Sequence, residues 1–219
     1  MEEKYINSKI IHQFFNFLNT EEISYALIKN VGDELPHKLR VGKDIDIIVK
    51  SDSVERFHLI MPQIARKIIH PLGKEMGWRN IYGLDDFEFW RLKTADDIFI
   101  DVTTKLCCHS LMPQIWLPLD NLIQKDLWNN KLFNKEKGWW QLDENILFTY
   151  LIIRCVFDKH KFTEIYKKEI LIHRRNISTD IVMTYLKLEF FNFSETLLDL
   201  IDTCRFEDII PSYLRFCKY

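Results

Sequence analysis

Arg40-Val41-Gly42-Lys43-Asp44-Ile45-Asp46-Ile47-Ile48-Val49 places two carboxylates at the mouth of an apolar run. Side chains of a strand alternate between faces, so Asp44 and Asp46 project from one side while Ile45, Ile47 and Val49 enter a core. Carboxylates held side by side repel and tend to take up protons, and a divalent cation keeps both ionised. A third acid, Asp101, stands in the apolar segment Ile98-Phe99-Ile100-Asp101-Val102, about 55 residues further on. If that segment pairs beside the Asp44 strand, three carboxylates meet at one sheet edge. Such a set suits one or two Mg²⁺ or Mn²⁺ ions in phosphoryl transfer. Asp-Ile-Asp alone is a weak signal, because alternation describes any half-exposed strand. Its context strengthens it: an apolar strand precedes it, a Gly-containing loop intervenes, and a strand-borne Asp follows.

Upstream, Ile10, Ile11, Phe14, Phe15 and Leu18 recur at helical spacing over Ser8 to Leu18. Ser24 to Lys29 reads as a buried strand, followed by a loop with Gly32, Asp33, Pro36 and Gly42. Downstream, Asp52 and Glu55 mark a helix start, and Val54, Phe57, Met61, Ile64 and Ile68 share one helical face that Pro62 should kink or break. From Gly77 to Val102 the period turns to alternation, giving strands at 77–82, 87–92 and 98–102 with turns after Tyr82 and Leu92. After Leu106 the pattern returns to helix and loop, and from Asp143 it is helical throughout, with Asp143, Thr179 or Asp180, and Ser194 as caps. The expected architecture is α+β: a mixed or antiparallel sheet flanked by helices over residues 1–138, then a helical domain over 139–219.

The 219 residues carry 30 Lys+Arg against 32 Asp+Glu, which excludes a generally polybasic nucleic-acid binder. With 47% hydrophobic and 14% aromatic residues the chain can bury a sizeable core. Residues 151–175 hold seven Lys/Arg and three acids, a local excess of +4, which is either a solvated helix face or a surface for an anionic substrate. Cys107, Cys108, Cys155, Cys204 and Cys217 lack CxxC spacing and read as reduced buried thiols. The opening residues lack a signal-peptide pattern, and the apolar run from Ile146 to Phe157 is too short, and broken by Thr149 and Arg154, to span a bilayer. A cytoplasmic location is expected. GxxxxGK[ST], GxGxxG, GxSxG and paired-histidine metal motifs do not occur, which disfavours P-loop, Rossmann, hydrolase and zinc sites.

Strand, loop, Asp-x-Asp-hydrophobic and a later strand-borne Asp resemble the polymerase-β-type nucleotidyltransferase superfamily. More narrowly, Tyr25-Ala26-Leu27-Ile28-Lys29-Asn30, Leu35-Pro36, Lys43 to Val49, and Leu147 to Tyr166 resemble bacterial members associated with surface-polysaccharide loci. The resemblance covers roughly residues 20 to 175, with only the acidic motif specific. It implies that Asp44 and Asp46 bind the catalytic metals, with Asp101 as the third ligand that orients or deprotonates the attacking hydroxyl. It also implies a nucleoside triphosphate donor and a hydroxyl or phosphate acceptor, such as a sugar or polyol used in polysaccharide synthesis. Superfamily members usually carry Gly-Gly or Gly-Ser after the first strand to hold the triphosphate; here Lys29-Asn30 stand there.

Arg40 and Lys43 flank the acids as candidate phosphate contacts, or as ordinary loop cations. Arg91 alternates with Phe87 and Phe89, shares their face, and needs an acid of the cluster or a substrate phosphate as partner. Lys159, with His160 and Lys161, stands at a helix end where it either closes over a nucleotide or complements the helix dipole. Lys29, Asn30, Arg40, Lys43, Arg91 and Lys159 thus form the candidate nucleotide-binding set. Three other functions compete: a non-catalytic module keeping the fold, a glycosyltransferase with an Asp-x-Asp metal site, and a minimal nucleotidyltransferase toxin or antitoxin. The glycosyltransferase is disfavoured because its acids usually end an apolar strand, whereas here the apolar run follows them.

Overall fold

The computed structural model describes residues 4–68, 87–109 and 116–217. Helix α1 (Ser8–Thr20) opens the fold, capped by Asn7, whose side chain accepts from the Lys9 amide at 3.0 Å. It buries Ile11, Phe14, Phe15 and Leu18, as its spacing predicts. Strands β1 (Tyr25–Leu27) and β2 (Asp44–Val49) follow, then α2 (Val54–Ile60) and β3 (Ala65–Ile68). Next come β4 (Phe89–Thr94), β5 (Phe99–Thr103), β6 (Cys107–His109), β7 (Trp116–Pro118) and α3 (Asn121–Asn130). Strands β8 (Leu132–Asn134) and β9 (Trp139–Gln141) precede α4 (Glu144–Ile153) and a π-helical turn, Arg154–Asp158. Helices α5 (Glu164–Arg174), α6 (Thr179–Phe190), α7 (Ser194–Asp202) and α8 (Phe206–Phe216) complete the chain. The expected α+β class is the one observed.

Among the described residues the main sheet has seven strands in the order β3-β4-β5-β2-β1-β9-β8, while β6 and β7 pair separately. It is mixed: β1 is antiparallel to β2 and parallel to β9, and β2 is parallel to β5. The alternation read from the sequence sorts its two faces. Tyr25, Leu27, Ile45, Ile47 and Val49 join α1 and α2 in one core cluster. Ala26, Ile28 and Ile48 join α4 to α8 in the other. Asp44 and Asp46 therefore share the Ile48 side, beneath the helical layer. Helix α4 is buried nearly all round, from Ile146 to Ile153, as befits the central helix of that layer.

Several local expectations need correction. The helical face expected to reach Ile68 stops at Ile60; Pro62 stands in a 3-10 turn, Met61–Gln63, and the chain re-emerges as β3. Asp52 does not cap α2, since its carboxylate pairs with Lys50 Nζ at 2.7 Å. Ser178, rather than Thr179 or Asp180, holds the α6 N-cap position, and Ser194 lies inside α7 with its hydroxyl donated back to the Phe191 carbonyl. Asp143 caps α4 as expected, accepting from Asn145 N at 2.9 Å. After Leu106 the chain forms β6, β7, β8 and β9 where only helix and loop were expected, because strands this short hold too few residues to show alternation. The cysteines are free, but Cys204 and Cys217 are exposed rather than buried. The strand expected at 77–82 and its following turn lie outside the described residues.

Two stability predictions arise from the packing. Gly32 has φ 75°, and a Cβ there would meet Ile165 Cδ1 at 2.6 Å. Gly32→Ala is expected to cost about 1–3 kcal/mol in urea unfolding, because it combines left-handed strain with displacement of Ile165. His173 lies 2.5 Å from Glu144 and 3.6 Å from Glu169. Burial alone would lower its pKa, yet the two carboxylates outweigh it and push the imidazole up to about 9. A raised folded pKa stabilises fully below the unfolded value near 6.5, and that contribution fades as pH rises toward 9. Thermal stability should therefore fall between pH 6.5 and 9, by up to about 3 kcal/mol, and His173→Gln should flatten the slope.

Candidate active site

The parallel pairing of β2 with β5 sets Asp46 directly beside Asp101, and β4 sets Arg91 opposite Asp101 on the other flank. One oxygen from each of Asp44, Asp46 and Asp101 lies within 4.8 Å of the others. Among the described residues this is the one cluster of three or more acids, histidines or cysteines compact enough to hold a metal ion. The three carboxylates are half-buried and open onto a cavity of about 270 Å³. Its wall also includes Lys29, Phe87, Phe89, Arg91, Tyr150 and Arg154. Cavity-facing oxygen donors of this hardness fit a hard divalent cation.

The electrostatics of the three acids differ. Burial pushes the Asp101 carboxyl up to about 6, helped by the Asp46 and Asp44 charges and opposed by Arg91. Burial also works against ionised Asp44, but Lys29, a hydrogen bond with Asp101 and Arg91 together hold its pKa below the ordinary value. Arg91 grips Asp101 through Nε at 2.6 Å and Nη2 at 2.8 Å, and the same Nη2 reaches Asp44 Oδ2 at 3.0 Å. This bidentate fork is the strongest geometry available to the pair. Lys29 Nζ stands 3.0 Å from Asp46 Oδ2.

Of the candidate residues, the structure brings together Asp44, Asp46, Asp101, Arg91 and Lys29. Arg91 does share a face with Phe87 and Phe89, and its partner is an acid of the cluster, as the alternation implied. Asn30 instead lines a neighbouring cavity of about 170 Å³, where its Oδ1 accepts from Leu35 N at 2.9 Å and fixes the loop. Arg40 and Lys43 are exposed and outside the wall of the acidic cavity; Arg40 forms an isolated bridge with Tyr5. Lys159 lies over the Tyr166 ring, 5.0 Å from its centroid. Tyr150 and Arg154 were not singled out from the sequence as site residues. Their signal was present, because Arg154 interrupts the most apolar run of the chain, where a charge needs a reason.

Neither a family model nor a curated protein sequence matches the chain. The solved structures similar to it include the following two. One is an antigenic nucleotidyltransferase-like protein from Paracoccidioides brasiliensis, with TM-score 0.44 and 10% identity over 91% of this chain and 92% of that one. The other is the Thermotoga maritima CCA-adding enzyme complexed with tRNA, with TM-score 0.33 and 12% identity over 90% of this chain. This chain spans about half the length of that enzyme, covering 52% of it. No helix among the described residues is long and apolar enough to cross a membrane.

Proposed function

We propose that the chain is a Mg²⁺- or Mn²⁺-dependent nucleotidyltransferase, moving a nucleoside monophosphate from an NTP to a hydroxyl or phosphate of a small-molecule or saccharide acceptor. The observation that carries this reading is the convergence of Asp44, Asp46 and Asp101 within 4.8 Å, on adjacent strands, at a cavity whose wall also bears Lys29 and Arg154. Asp44, Asp46 and Asp101 would hold the metal, which when bound supplies Lewis-acid activation and charge neutralisation at phosphorus. The acceptor oxygen attacks the α-phosphorus, the α–β bridge bond breaks, and pyrophosphate leaves. By the sequence resemblance, Asp101 would also orient or deprotonate the attacking acceptor hydroxyl. Arg91 fixes that carboxylate's orientation through its two bonds. The polysaccharide setting rests on the sequence resemblance and names the class of acceptor to try first.

A non-catalytic module is the second reading, favoured by one feature: every acid of the triad already meets a protein cation, Arg91 or Lys29. Incubation with each labelled NTP, Mg²⁺ and sugar phosphates, followed by pyrophosphate detection, separates the two. Release that depends on metal and acceptor supports the transferase. No release from any combination, together with no Mn²⁺ binding by calorimetry, overturns it in favour of the module.

A further inference from the structure

We infer that the helical layer supplies a polyphosphate subsite, in which Arg154, flanked by Lys159 and Lys29, takes the anionic chain of the donor. This rests on the transferase reading for the donor's identity, but the anion chemistry stands on its own residues. Arg154 is a guanidinium at the start of the π turn that follows the buried end of α4, and burying a charge is costly unless it is fully paired. Its pairing within the protein is incomplete. Nη1 meets the Tyr150 hydroxyl at 3.3 Å and lies 3.3 Å from Asp158 Oδ2, while Nε is buried with no hydrogen-bond partner. Asp158 is itself shared, since its other oxygen accepts from His109 N at 2.8 Å. Yet Arg154 lines the same cavity as the three aspartates.

The local backbone explains how a second cation joins it. In the π turn the Lys159 amide donates to the Arg154 carbonyl at 2.9 Å, the i→i+5 pattern. Residues five apart diverge around an α-helix and lie closer in azimuth on the wider turn; Lys159 Nζ stands over the Tyr166 ring, beside the cavity wall that Arg154 helps to form. Lys29 and Arg154 both line the cavity, and burial together with the positive charges of Arg154 and Lys29 lowers the Lys159 ammonium. Lys29 belongs to the cavity wall as well, whereas the amide of Asn30 is committed to Leu35 and Asp33. The turn after β1 thus offers a single cation to a phosphate chain, and the π turn adds Arg154 with Lys159 beside it. A planar guanidinium with an unused N–H matches a phosphate's paired oxygens.

The test is calorimetric titration of tripolyphosphate, without metal, into the full chain at low salt. The wild type should bind, Arg154→Gln should weaken binding by about tenfold or more, and Lys159→Gln by about three- to tenfold. Lys168→Gln and Arg175→Gln remove exposed cations of the same basic stretch and should change binding by less than about twofold. If Arg154→Gln fails to give a native circular-dichroism spectrum, Arg154→Lys and Lys159→Gln carry the test. Wild type that does not bind, or folded Arg154 and Lys159 variants that bind like wild type, overturns the inference. So does tighter binding of glycerol 3-phosphate than of tripolyphosphate, which would place an acceptor's phosphate there instead. Arg154-dependent tripolyphosphate binding in a chain that shows no Mn²⁺ binding or turnover would sink the transferase reading and leave the anion site standing.

Discussion

Asp46→Asn is expected to reduce nucleotidyl transfer at least about a thousandfold, on the order of 4 kcal/mol of transition-state stabilisation, while the chain stays folded. Asparagine keeps the side-chain size and one oxygen but removes the negative charge that a divalent ion requires. The fold should tolerate the change because Asp46 faces the cavity, not the core, while its neighbours Ile45 and Ile47 remain fully buried. The lost partner is Lys29, 3.0 Å away, and that ammonium still lies near Asp44, which it helps to keep ionised. Melting temperature should therefore move by only a few degrees, and Mn²⁺ affinity should fall at least about tenfold. Turnover above about a tenth of wild type would end the role of this carboxylate in catalysis. A collapsed circular-dichroism spectrum would show that Asp46 holds the sheet rather than a metal.

What the sequence disclosed was whatever has a period. The alternation of β2 gave the buried face of Ile45, Ile47 and Val49 and the acidic face opposite, and of the five residues that the spacing of α1 named, four are buried and Ile10 is half-buried. Asp101 was visible as a carboxylate in an apolar run, and Arg91 as a cation needing an acid. Pairing was beyond reach, because no local pattern says that β2 lies parallel to β5 and so sets Asp46 against Asp101. The three-residue strands β6 to β9 were missed, being too short to show a period. Arg40 and Lys43 attracted notice through nearness in sequence to Asp44, yet the turn at Gly42, φ 87°, leaves both exposed outside the cavity wall. Arg154, far from Asp44 and Asp46 in sequence, joins their cavity because α4, the central helix of the helical layer, packs over the Ile28 and Ile48 face.

Arg91→Met should reveal how much strain the acidic cluster imposes on the fold. Arg91 holds Asp101 at 2.6 and 2.8 Å and Asp44 at 3.0 Å, so its loss leaves a largely buried carboxylate beside two like charges. Breaking a buried pair costs about 3–5 kcal/mol, and the partial exposure of the guanidinium reduces this to roughly 2. For a chain of this length that is a fall in melting temperature of about 4–8 °C at neutral pH. The sign of the pH dependence follows from Asp101. Its folded pKa of about 6 exceeds the ordinary 3.8, so what it contributes is fully present below 3.8 and is lost as pH rises through 6. Arg91 limits that loss; without it the carboxyl is pushed higher, and the loss deepens at neutral and alkaline pH. The variant should thus approach wild-type stability near pH 5 and fall furthest behind near pH 8. A divalent ion neutralises the same three oxygens, so Mn²⁺ should raise the variant's melting temperature more than the wild type's and bind it more tightly. Equal stability of the two proteins at pH 8 would mean that Arg91 does not support the triad's charge. Absence of any Mn²⁺-dependent rescue would mean that the cation the triad is built for is the guanidinium itself.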